Sequence, residues 1–90
     1  ERDVSILVDE AATWRQVEQT IRQAAPAALE AIDFADLFRG RQLPPGRKSF
    51  TFTLRFRLAE GTLTNEQANE FTAAIVQALS NKLGAVLRDK

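Results

Sequence analysis

The residues best placed to do chemistry lie between positions 32 and 58, in the run IDFADLFRGRQLPPGRKSFTFTLRFRL. Phe38 stands at the end of a strand-like stretch beside Arg39. Ser49, Thr51 and Thr53 alternate along a second stretch with Arg47, Lys48, Arg55 and Arg57 around them. A flat ring, a row of hydroxyls and a set of cations are what a protein needs to hold an unpaired nucleic-acid strand. Bases stack on the ring and phosphates meet the cations, a stack contributing about 1–3 kcal/mol. Bond-making chemistry has far less to work with. The 90 residues contain no histidine and no cysteine, which removes thiol nucleophiles, imidazole bases, disulfide scaffolds and most zinc sites. Gly40 and Gly46 do not open a helix, so no phosphate-cradling loop is expected. Asp33 and Asp36 share one stretch, but three positions apart they are expected to face opposite sides of a strand. No catalytic or metal-binding residue is assigned.

The charge pattern fits a binding face. Formal net charge is zero, yet from Leu37 to Ala59 the chain carries Arg39, Arg41, Arg47, Lys48, Arg55 and Arg57 and no acid. Residues 1–36 hold eight acids against Arg2, Arg15 and Arg22. The positive charge is therefore concentrated on the central hairpin, where it provides phosphate contacts or simply a solvated strand face.

These residues need a sheet to carry them. Residues 49–58 alternate without a break, Phe50, Phe52, Leu54, Phe56 and Leu58 against Ser49, Thr51, Thr53, Arg55 and Arg57. One side is apolar and fit to be covered, the other polar. The preceding strand, 29–38, loses its alternation after Phe34, which predicts a bulge near Ala35. Residues 39–47 form the connecting loop, punctuated by Gly40, Pro44, Pro45 and Gly46. Residues 3–8 read as a first strand and 85–88 as a short last one. Thr13 with Gln16, and Thr64 with Gln67, have the spacing of capping boxes at the starts of two helices. Trp14, Val17, Ile21 and Ala24 form the buried stripe of the first helix, Ala68, Phe71, Ile75 and Leu79 that of the second. Pro26 is expected to stop the first helix, a turn at Glu60-Gly61 to precede the second, and Gly84 to end it. The order β-α-β-β-α-β predicts a single α+β domain over residues 1–90. It is a ferredoxin-like sandwich, a four-stranded antiparallel sheet with two helices on one face and the other face bare. Composition, 44% hydrophobic and 27% charged, suits a soluble globular domain, and with neither a membrane span nor a signal pattern the expected location is cytoplasmic. On residues alone, RNA binding stands beside a protein-interaction or regulatory small-molecule module.

The runs RDVSILVDE, IDFADLFRG, GRKSFTFTLRF, EGTLTNEQ and LGAVLRD, in this order, resemble the ferredoxin-fold anticodon-binding domain that closes the beta subunit of bacterial phenylalanyl-tRNA synthetase. The resemblance spans essentially the whole chain. It implies a tRNA-binding domain that recognises the GAA anticodon of tRNA(Phe) and places the tRNA for aminoacylation. The alternative is a structural or protein-interaction module without RNA specificity. It further implies that Asp36 hydrogen-bonds an anticodon base, that Phe38 stacks on the first base, and that Arg39 and Gly40 turn the chain near the RNA backbone. Lys48 and Ser49 are implied to reach the RNA from the neighbouring strand. The parent phenylalanine–tRNA ligase is a tetramer of two alpha and two beta subunits using ATP and magnesium. The domain itself is expected to be non-catalytic and cofactor-free, and no DNA or membrane partner is implied. The sequence departs from the family pattern at Ala35, where the family has Phe, and at Phe38, where it often has Tyr, so the ring is kept and the hydroxyl lost.

Overall fold

The computed structural model describes residues 2–25, 27–58 and 61–88. Pro26, Ala59 and Glu60, on which a helix stop and part of a turn were expected, lie outside them. The order is β1 (Arg2–Asp9), α1 (Trp14–Ala24), β2 (Leu29–Phe38), β3 (Arg47–Phe56), α2 (Asn65–Leu83) and β4 (Val86–Leu87). The strands make one sheet in the order β2-β3-β1-β4, and every neighbouring pair is antiparallel. This is the ferredoxin-like α+β arrangement that the pattern predicts.

Both helices start where their side chains can replace missing backbone partners. Thr13 Oγ1 accepts from the Gln16 N–H at 3.2 Å, and Gln16 Oε1 accepts from the Thr13 N–H at 2.9 Å. Thr64 and Gln67 repeat the exchange at 3.1 and 3.0 Å. Each box satisfies two donors that the first turn leaves orphaned. At its far end α2 closes through Gly84, whose φ of 66° is the left-handed region that favours glycine.

Alternation then decides which side of the sheet the helices cover. Val4, Ile6 and Val8 of β1 and Phe50, Phe52 and Leu54 of β3 share a face, and all are buried. They form one cluster with Val17 and Ile21 of α1 and Ile75 and Leu79 of α2. Fully burying one such side chain contributes about 1.5–3 kcal/mol. Trp14 is core rather than platform. Its ring packs against Phe34, Phe50 and Phe52 at centroid distances of 5.1, 5.7 and 5.6 Å. Phe56 and Phe71, 5.4 Å apart, close the opposite end. No helix among the described residues is long and apolar enough to cross a membrane.

The register of β2 against β3 shifts twice, between Leu29 and Ala31 and between Phe34 and Asp36. The second shift is the bulge at Ala35, and it re-aims everything after it. Phe34 pairs with Phe52 on the helix-covered side, yet Leu37 pairs with Phe50 there too. Asp36 and Phe38, opposite Thr51 and Ser49, are thereby sent to the other side. The shift between Leu29 and Ala31 keeps Leu29, opposite Phe56, on the same side as Ile32, opposite Leu54, although the two are three positions apart.

Candidate nucleic-acid interface

The helix-free face of the sheet can be read off the register as a set of rows. Phe38, Ser49, Leu7 and Val86 form one row. Asp36, Thr51 and Ser5 form the next, extended by Arg88, whose N–H donates to the Ser5 carbonyl at 2.8 Å. Asp33, Thr53 and Asp3 form a third. Of the residues assigned from the sequence, this face brings together Asp36, Phe38 and Ser49, with Arg47 at its end by the same alternation and Arg55 further along β3.

Lys48 falls elsewhere. It pairs with Val8, on the side the helices cover, where it is buried and its ammonium lies 5.2 Å from the Phe50 ring centroid. Lys48 and Ser49 are adjacent in sequence and so point through opposite sides of the sheet. The expectation that both reach one ligand from this strand is corrected by that parity. The expectation that Asp33 and Asp36 face opposite sides is likewise corrected. The extra residue at Ala35 restores them to one face, opposite Thr53 and Thr51.

The cations of the hairpin are less free than their spacing suggests. Arg39 Nε donates to Glu10 Oε1 at 2.6 Å. Arg55 binds Asp33 through Nε and Nη2 at 2.9 and 2.8 Å, and Arg57 lies 3.6 Å from Glu30. All three pairs are solvent-exposed, so each is worth about 0–1 kcal/mol and can be exchanged for a phosphate at small cost. Arg47 Nη1 reaches the Gly84 carbonyl at 3.4 Å. Arg41, in the loop, makes no ion pair among the described residues.

Phe38 is held on two sides. The Arg88 guanidinium lies over its ring, 5.2 Å from the centroid. A Cβ on Gly40 would come within 2.8 Å of the ring tip, so the loop backbone passes close against the ring and a side chain there would have to push the ring aside. Beneath, Ser49 is fully buried and its hydroxyl has no hydrogen-bond partner among the described residues. Ser5 and Thr51 share a hydrogen bond at 2.8 Å, and the Thr53 hydroxyl donates to Asp3 Oδ1 at 2.7 Å. Sequence reasoning missed Arg88 and Ser5 as parts of this face. Period-two alternation of β1 and of the short last strand carries a signal for both, but their meeting with the hairpin depends on strand order.

A bare sheet face bearing an aromatic at a strand end, hydroxyls in the middle and arginines at the rim is an arrangement that can hold bases flat. Comparison with known proteins gives it a family. Residues 1–88 match the ferredoxin-fold anticodon binding domain, and the chain belongs to that family. It is 39% identical over 87 residues to the phenylalanine–tRNA ligase beta subunit of Corynebacterium jeikeium (strain K411), a match covering 97% of this chain and 10% of that protein. The same subunit from Clostridium tetani (strain Massachusetts / E88) is 35% identical over 88 residues, covering 98% of this chain and 11% of the relative. That from Thermobifida fusca (strain YX) is 38% identical over 87 residues, covering 97% and 10%. The chain spans about a tenth of the length of these relatives.

Proposed function

We propose that the domain reads the anticodon of tRNA(Phe) within a phenylalanine–tRNA ligase beta subunit, and so positions the tRNA for aminoacylation elsewhere in the assembly. The observation that carries this is the bulge at Ala35, which turns Asp36 and Phe38 together onto the helix-free face of an anticodon-binding fold. In this reading Phe38 stacks on a base and Asp36 accepts hydrogen bonds from a base edge. Ser49 lies beneath the stack, and Arg39, Arg41, Arg47, Arg55 and Arg57 meet phosphates. Lys48 serves the core from the other side and is left out. The parent assembly joins two alpha and two beta subunits in the cytoplasm and uses ATP and magnesium there.

One observation favours the rival, a docking module without RNA specificity. Arg39, Arg55 and Arg57 are each already paired with an acid, and the chain has no net charge. Titration of the 90-residue chain with RNA stem-loops bearing GAA or a scrambled loop separates the two. A clear preference for GAA is expected. Equal, weak binding of both loops would hand the surface to the rival.

A further inference from the structure

Two serines on the helix-free face are buried although no helix lies there: Ser5 is 6% exposed and Ser49 0%. Among the described residues their cover comes from side chains of the sheet and of the segments that flank it. Phe38 belongs to the strand at one edge and Arg88 follows the strand at the other. Three strand spacings, roughly 14 Å, separate those edges. For the guanidinium to lie 5.2 Å from the ring centroid, the two side chains must meet above the intervening strands β1 and β3. The row positions place Leu7, Ser49, Ser5 and Thr51 below that meeting point.

Resting on the anticodon-reading proposal, we infer that Arg88 and Phe38 form a strap closed over a hydroxyl-lined subsite of Ser5, Ser49 and Thr51. The strap opens when a nucleobase takes the guanidinium's place on the ring. Two independent features support it. The ring face that a base would use is already occupied by a planar cation of this chain. The Ser49 hydroxyl beneath is buried without a partner among the described residues, which costs stability unless a ligand satisfies it. Arg88 and Phe38 are both half-buried, and such a cation–ring contact is worth a factor of about 2 to 30 in an equilibrium, overlapping the range of a base stack, so a stacked base can displace it. Once the strap is open, the Ser5–Thr51 pair and Ser49 can donate to or accept from polar atoms of the base or its sugar. The subsite thus takes a nucleotide that brings both a flat face and hydrogen-bonding atoms.

NMR of the labelled 90-residue chain tests this with a GAA stem-loop as probe and fluorescence anisotropy as an independent measure of binding. In the free chain the Arg88 side-chain protons should be displaced upfield by the Phe38 ring current, and Phe38→Leu should abolish the displacement. Saturation with RNA should return Arg88 to unshifted positions and move the Phe38 ring protons upfield. Ser49→Ala should weaken binding about 2- to 10-fold, the equivalent of one ordinary hydrogen bond. RNA that binds while Arg88 stays upfield, or a Ser49→Ala affinity equal to that of the unaltered chain, overturns the strap and leaves anticodon reading intact. Absence of any binding by anisotropy overturns the reading itself, and the strap with it.

Discussion

Phe38 depends on neighbours that can be altered one at a time. Removing the ring with Phe38→Ala should lower affinity for the GAA stem-loop by about 1–3 kcal/mol, measured by calorimetric titration. Gly40→Ala leaves the ring in the chain but puts a methyl 2.8 Å from its tip. The ring is the movable partner, so stability to urea should change by less than about 0.5 kcal/mol while binding falls toward the Phe38→Ala level. Ser49→Ala should move the two measurements in opposite senses. Deleting a buried hydroxyl that has no partner should leave stability unchanged or raise it by up to about 1 kcal/mol in urea denaturation, even as affinity drops. A purely structural serine would shift stability and leave affinity alone.

At the scale of elements, most of what positions these residues is local and legible in the sequence. The alternation of β3 names its covered face, and both capping boxes form from the residues whose spacing announced them. The broken parity after Phe34 locates the bulge. What was not readable depends on partners distant in sequence. Glu10 neutralises Arg39 from 29 positions away, and Asp33 reaches Arg55 across 22. Only the register and strand order bring such pairs together. Lys48 is a different case: alternation alone puts it on the side of Phe50, and the Lys-Ser motif carries no information about which side each residue faces. Two outcomes follow from the local devices. Thr64→Ala should cost about 1 kcal/mol of stability by removing the cap of α2, measured by urea unfolding followed by circular dichroism. Deleting Ala35 should return Asp36, Leu37 and Phe38 to opposite sides, exposing Leu37 and turning Phe38 inward. Loss of stem-loop binding together with a clear fall in the urea midpoint is the expected result.

For the whole molecule, zero net charge means that non-specific attraction to RNA should be weak. Affinity for the stem-loop should still fall with salt, because phosphates displace counterions wherever arginines meet them. Arg41→Gln should reduce the slope of log affinity against log salt by about one, read from titrations at several salt concentrations. Arg55→Gln should change it less, since the charge removed there is already balanced by Asp33.

The layering also has a consequence for how such a protein can change. Phe52, Leu54, Ile75 and Leu79, which keep the chain folded, all lie on one side of the sheet, and Asp36 and Phe38 lie on the other. Vocabulary and grammar are thus kept apart: substitutions that alter which nucleotides are preferred need not disturb the hydrophobic half. A lineage could retune its recognition surface step by step, each intermediate still a folded protein.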